Sequence, residues 1–458
     1  MKKFPISIVI GLITLPGLFL SCGEDRSGEY YALIAPKTWI YDTMQVNYLF
    51  YEDLPAEDNI NFFLKPQELL SAIASPRDRK GNVLFSHIDS VDVARSSENK
   101  PNFGIEGVTT RTSNGSYAIR ILYTQPNSPA TDPGIELKRG DWIIGIDNKR
   151  IASNDYATYI GEPTGAHSFI IGAYIGSDFD TLRTTDPLVP RTVETRNLLQ
   201  ATVVSSENKK AGYLLYNEFG ENDGEELLTT LANWSNGEVN DIILDLRYNA
   251  GGYLETARTL ASSVAPQEVI GQTFLNLIFN DKLNREETLL FGTSTAGSLP
   301  NIPYEHLYVI TGENTASASE SLINSLRPYL GERLIQVGSA TFGKNVAQEK
   351  FTNPQYPEVE LWLTTCYAAN ADGYYDYYDS GLLPDYEQEE DYSGELGELG
   401  SPEEPLLQTV LTHMNTGSFP APDTDETTDS ITKKARHFSQ KVQIIYNSVA
   451  EKPHTTRR

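Results

Sequence analysis

Between Asp241 and Val337 the chain alternates short, almost wholly apolar runs with stretches of helical period, and this constrains its fold more than any other feature. Asp241-Ile242-Ile243-Leu244-Asp245-Leu246 is apolar nearly throughout, as a strand buried on both faces must be. Leu254, Ala257, Leu260, Ala261 and Val264 then recur at the spacing of one helix face. Leu307-Tyr308-Val309-Ile310 and Leu334-Ile335-Gln336-Val337 read as two more strands. Between them Leu322, Ile323, Leu326 and Leu330 mark a helix, which Pro328 should end or kink near Arg327. Strands that alternate with helices predict an α/β fold made of βαβ units.

Three turns in this region carry chemistry. Asp245-Leu246-Arg247-Tyr248-Asn249-Ala250-Gly251-Gly252 ends a buried strand with a glycine pair, which lets the backbone turn tightly and aim amides into a cleft. Ser317, in Thr315-Ala316-Ser317-Ala318-Ser319-Glu320, opens the next helix. Lys344 follows in Thr341-Phe342-Gly343-Lys344, with Gln348 four residues on. A serine hydroxyl needs a neighbour to take its proton, and a lysine can be that neighbour only where burial disfavours its charge. Taken alone, Ser317-x-x-Glu320 is a capping box and Lys344 a solvated lysine. The joint occurrence with the glycine turn and Gln348 favours a catalytic pair. No Gly-x-Ser-x-Gly elbow occurs.

With Gly212-Tyr213-Leu214, Phe219 and Gly381-Leu382-Leu383-Pro384-Asp385, these segments occur in the order of peptidase family S41, the C-terminal processing or tail-specific proteases, and the chain resembles that family to about Met414. The resemblance implies a ClpP/crotonase-like βαβ peptidase core over 195–414. It makes Ser317 the nucleophile, Lys344 the general base and Gln348 the residue that orients the lysine. Gly251 and Ala318 would supply the oxyanion-hole amides. Asn345 departs from the family glycine and Ala250 from its proline, and the serine-to-lysine spacing is slightly long.

Residues 96–183 change pattern to short strands with glycine turns. Ser128-Pro129-Ala130, Gly134-Ile135 and Gly140-Asp141-Trp142-Ile143-Ile144-Gly145-Ile146-Asp147 resemble a PDZ domain of bacterial proteases. Such domains take an extended peptide onto a sheet edge. The capture loop would be Phe103, Gly104, Ile105, Glu106 and Gly107. Before it, 30–95 reads as a small helical packing unit, with Ile40, Met44 and Tyr48 on a helix from Thr38 to Phe50 and another helix beginning at Pro66.

Residues 1–22 read as a secretory signal: Lys2 and Lys3, then an apolar run too short and broken to span a membrane. Phe19-Leu20-Ser21-Cys22-Gly23 resembles the bacterial lipoprotein box, which implies lipidation of Cys22 and an outer-membrane lipoprotein facing the periplasm or the surface. Cys366, the only other cysteine, is expected in the core. Net charge is −26 and no Lys or Arg occurs between Lys350 and Lys433, which excludes nucleic acid as a partner. Six scattered histidines give no metal motif, and no cofactor is implied. The acidic stretch 386–404 and the aromatic loop Tyr374–Asp379 are expected to be solvated. The tail 415–458 is expected to be polar and mobile, with a helix through Val442–Ile445. The partners expected are protein or peptide substrates. The reading is a Ser–Lys endopeptidase; its alternative is a catalytically inactive, peptide-binding lipoprotein on the same scaffold.

Overall fold

The computed structural model describes residues 27–90, 100–207 and 209–421, together with the strands Val442–Asn447 and Thr456–Arg457. The signal segment and Cys22 lie outside the described residues. Among the described residues no helix is long and apolar enough to cross a membrane.

The expected βαβ unit is the centre of the molecule. Its sheet runs Leu198–Ser206, Lys209–Tyr216, Asp241–Asp245, Leu307–Thr311, Leu334–Gly338, Tyr386–Glu387. Every neighbouring pair after the first is parallel. Side chains alternate between the two faces. Ile242, Leu244, Leu307 and Val309 pack under the helices Gly224–Ala232, Leu254–Val264 and Ala318–Leu330. Ile243, Tyr308, Ile310 and Val337 meet Leu406, Leu407, Val410 and Met414 of the helix Pro405–Thr416. Each such aliphatic side chain stabilises the fold by roughly 1.5–3 kcal/mol. At Gly212 a Cβ would come 2.5 Å from the Trp234 ring, so only glycine lets that indole lie on the sheet. The helix expected to falter near Arg327 runs to Leu330. Pro328 cannot donate to the Asn324 carbonyl, which accepts instead from Asn370 Nδ2 at 3.3 Å.

A second sheet joins Glu286–Leu290, Thr273–Phe279, Val359–Ala369 and Val346–Thr352, with His87–Ser90 paired to Val359–Ala369. The N-terminal helices are Ser27–Asn47 and Pro66–Ile73. The first starts earlier than the periodicity suggested and stops before Tyr48, yet Ile40, Met44 and Tyr48 are fully buried as the spacing required. Their core is shared with Val346, Leu361 and Leu363, so this unit packs directly on the second sheet.

Residues 105–184 form an antiparallel sheet with its own core around Phe103, Ile119, Ile121, Ile143 and Phe169. Val442–Asn447, expected as a helix, is an added strand on its Ile105–Thr112 edge. The β-branched and aromatic run Val442, Ile444, Ile445 and Tyr446 prefers a pleated surface. Nor is the acidic stretch wholly solvated. Glu404 makes two hydrogen bonds to Arg247, at 2.6 and 2.9 Å, and Arg247 also binds Asp245, at 2.9 and 2.8 Å. Glu390 accepts from Arg139 and from Tyr248 Oη, which bolts the small sheet to the central one. The two guanidiniums hold the Glu390 carboxyl down at about 2 despite its burial.

Candidate active site

The turns after two neighbouring parallel strands, Asp241–Asp245 and Leu307–Thr311, are laced together. Thr315 Oγ1 donates to Leu246 O at 2.7 Å, Ala316 N to Asn249 O at 3.1 Å and Ser319 Oγ to Asn249 O at 3.0 Å. Ser317 emerges from this lacing at φ 59°, ψ −114°, a left-handed conformation that costs a non-glycine residue about 1–3 kcal/mol and marks a functional turn. It directly precedes the helix Ala318–Leu330, whose first amides, Ala318 N–H among them, have no carbonyl four residues back to bind.

Gly251 closes against this turn. A Cβ there would lie 2.8 Å from Ser317 Cβ and 3.2 Å from Ala318 N, and its φ of 108° excludes other residues as well. The expected neighbours of an oxyanion are thus brought together. The Gly251 N–H, however, donates to Asn249 Oδ1 at 2.9 Å, so it must leave that acceptor before it can face a substrate oxygen.

Lys344 sits in a loop braced from the far side. Thr341 N donates to Leu382 O at 3.1 Å and Leu382 N to Thr341 Oγ1 at 2.7 Å. A Cβ on Gly343 would lie 2.4 Å from Tyr378 O, so the aromatic loop packs on the lysine loop through the fully buried Tyr377, while Tyr374, Asp376 and Asp379 face solvent as expected. Asn345, which departs from the family pattern, is accommodated here by donating to Tyr375 O at 2.8 Å. Lys344 Nζ donates to Gln348 Oε1 at 2.8 Å, and Gln348 Nε2 to Phe85 O. The lysine is 1% exposed, and burial brings its pKa from the ordinary 10.5 to about 7, against the opposing pull of Asp78 and Glu320. About half of it is therefore neutral at pH 7.

One carboxylate joins the halves. Glu320 Oε2 accepts Ser317 N at 2.7 Å and Lys344 N at 2.8 Å, while Oε1 accepts Gly343 N and Thr341 Oγ1, both at 2.6 Å. The capping residue of the serine helix is thus also the anchor of the lysine loop. Burial pushes its carboxyl above the usual range, and these four donors resist that rise.

Sequence reasoning missed Asp78 and Phe85. The Phe85 ring lies 5.3 Å from Lys344 Nζ. Asp78, wholly buried, accepts from Tyr48 Oη at 2.9 Å and Thr364 Oγ1 at 2.5 Å, and burial pushes its carboxyl up to about 6. The N-terminal unit, expected only to pack, thus supplies a wall of the lysine pocket. An Asp and a Phe in a polar 76–87 segment carry no motif. Asp78 stands between Arg77 and Arg79 and so reads as one more solvated charge.

The capture-loop residues lie on the small sheet. Phe103 is core, against Phe169, and Ile105 is buried. Gly104 N–H donates to Asn102 Oδ1 at 2.8 Å. Glu106 and Gly107 lie in the Ile105–Thr112 strand. Cys366 is buried as expected, its thiol pushed up to about 12. Among the described residues one trio, Asp241, Glu305 and His306, could hold a metal ion. Lys209 Nζ, 2.7 Å from Glu305, already places a cation there. The trio also lies at the opposite strand ends from Ser317.

Residues 210–388 match the family described as Peptidase family S41, and residues 35–87 the Peptidase S41 N-terminal domain. Together they account for just over half of the chain. The carboxyl-terminal-processing protease of Picosynechococcus sp. is 29% identical over 239 residues, 52% of this chain and 53% of that protein. The carboxy-terminal processing protease CtpB of Bacillus subtilis is 25% identical over 255 residues, 54% of this chain and 49% of that one. The chain spans about half the length of the curated relatives it matches. A crystal structure from Bacteroides fragilis, described as a candidate S41 protease, superposes with a TM-score of 0.72 at 28% identity, over 83% of this chain and 97% of that one.

Proposed function

Because the chain belongs to peptidase family S41, we propose that it is a serine endopeptidase working through a Ser317–Lys344 dyad. The observation that carries this reading is a lysine wholly buried, its pKa brought to about 7, whose backbone shares one carboxylate oxygen with that of a strained serine. Neutral Lys344 takes the Ser317 Oγ proton as the oxygen attacks a peptide carbonyl. Gln348, held by Phe85 O, fixes the direction of the amine. The developing oxyanion meets Ala318 N–H and the glycine turn at 251–252. Lys344 then protonates the leaving amine, and water enters by the same base to hydrolyse the acyl-enzyme. The sheet over 105–184 serves as a PDZ-like platform that presents extended or C-terminal segments of protein substrates. Lipid on Cys22 would hold the enzyme at the outer membrane.

Ser317→Ala should abolish hydrolysis of a denatured protein substrate, and a serine-directed acylating probe should label the native chain at Ser317. Undiminished hydrolysis by that variant would remove the dyad from the mechanism. Absence of both labelling and hydrolysis in the native chain would leave the peptide-binding alternative.

A further inference from the structure

The last two strands of the chain lie along the route proposed for a substrate. Val442–Asn447 pairs antiparallel with Ile105–Thr112, the edge that follows the capture loop, and takes the outermost place in that sheet. The register runs from Val442 opposite Thr112 to Asn447 opposite Val108, so the strand heads toward residues 103–107. Thr456–Arg457 then pairs in parallel with Gly252–Tyr253, the glycine turn of the site. It also packs against Val346–Thr352, the strand that carries Gln348. This short strand therefore lies across the cleft, between the turn that serves Ser317 and the strand that serves Lys344. Eight residues lie between Asn447 and Thr456, and the nine steps they give can span about 30 Å when extended.

Charge favours the same placement. From Lys433 to Arg458 the sequence holds seven Lys or Arg and a single acidic residue, Glu451, in a chain of net charge −26. A basic segment on so acidic a body is drawn to it and adds little affinity for other basic peptides. Where it meets the site, Tyr253 Oη donates to Glu221, and Glu349 lies in the strand beside it.

We infer that the strands Val442–Asn447 and Thr456–Arg457 are an intramolecular ligand of the substrate path, one occupying the peptide edge and the other the cleft, and that they restrain the enzyme until a substrate peptide displaces them. This regulation rests on the peptidase reading; the docking does not. A peptide must then compete with a tethered strand, and only molecules with an open edge bind it. An open fraction of about one tenth weakens apparent substrate binding about tenfold.

The test uses the full chain carrying Ile444→Pro and Thr456→Pro, which remove ladder donors from both strands while leaving every residue of the site in place. Its kcat/KM on a denatured protein substrate should rise about tenfold, mainly through KM. In a second arm, free of catalysis, a fluorescent peptide of residues 441–458 is titrated into Ser317→Ala chains. It should bind the doubly substituted form and bind the form with its own strands intact about tenfold more weakly. Equal kcat/KM and equal peptide affinity in the two forms would overturn the inference. Activity of the unsubstituted chain that rises on dilution would assign the strands to a neighbouring copy and overturn the intramolecular assignment. A difference in peptide affinity with no hydrolysis by either form would uphold the docking and refute the peptidase reading alone.

Discussion

Replacing Asp78 by asparagine should move the rising limb of the pH–activity profile to lower pH. Lys344 acts as a base only when neutral, so kcat/KM should climb with pH and level off above the pKa of the free enzyme, about 7. Of the charges that keep a proton on Lys344 against the force of burial, Asp78 is the larger and Glu320 the smaller. Thr364, which donates to Asp78, stands directly across the sheet from Gln348, which holds the lysine. One interstrand spacing and the intervening side chains put carboxylate and ammonium on the order of 7 Å apart. At an effective dielectric of ~20 that pair interacts by ~2 kcal/mol, about 1.5 pKa units. Because burial already lifts the Asp78 carboxyl to about 6, part of its charge is absent where the limb lies. A displacement of about one pH unit remains. The midpoint should fall near pH 6, and there the neutral fraction of Lys344 should rise from about a tenth to about a half, a fivefold gain relative to the plateau. Initial rates on a denatured protein substrate, taken from about pH 5 to about pH 9 at constant ionic strength, give the midpoint. The midpoint is the quantity to read, since the lost partners of Tyr48 and Thr364 will also lower stability by about 1–3 kcal/mol. A midpoint that stays at the native value, or moves up, would refute Lys344 as a base tuned by Asp78.

Glu320→Gln turns one of two acceptor oxygens into an amide that confronts two donors; hydrolysis should fall at least about 100-fold and urea unfolding should show a loss of about 1–3 kcal/mol. Arg247→Met leaves Asp245 and Glu404 buried without their cation, and the same titration should register a loss of about 3–5 kcal/mol. Gly251→Ala drives a methyl against Ser317 Cβ at 2.8 Å. Labelling of Ser317 by an acylating probe should be lost in that variant while circular dichroism at ambient temperature stays native.

The periodicity of 241–337 disclosed the central sheet because each strand there is buried on both faces, which leaves an apolar run that little else produces. Ser317 and the glycine turn were legible because each directly follows such an element, where sequence order and spatial position coincide, whereas Lys344 and Gln348 lie beyond these runs and were singled out by their order in the family pattern. Other features have no local signature. Val442–Asn447 is too short for its period to choose between helix and strand, and its pairing with Ile105–Thr112 decides the matter. Pro328 read as a break because sequence cannot reveal that Asn370, 46 residues beyond Asn324, takes over the freed carbonyl. The aromatic loop and the acidic stretch were read by composition, yet Tyr377, Glu390 and Glu404 turn inward to partners that lie far away in the chain.

The largest consequence of that blindness concerns the base. A serine and a lysine at the right spacing do not make a dyad; the lysine must also be neutral. Its pKa falls from the ordinary 10.5 to about 7, a difference of about 5 kcal/mol in favour of the neutral amine, and burial is the cause. Phe85 of the N-terminal unit stands over the amine, its ring 5.3 Å from Nζ, and the core of that unit is continuous with the strand carrying Gln348. The same unit brings Asp78, which partly opposes the drop. The match of residues 35–87 to a domain of the same family as 210–388 then has a physical meaning. On the proposed mechanism, one segment supplies the reacting atoms and the other the dry, acid-tuned wall that would make Lys344 a base.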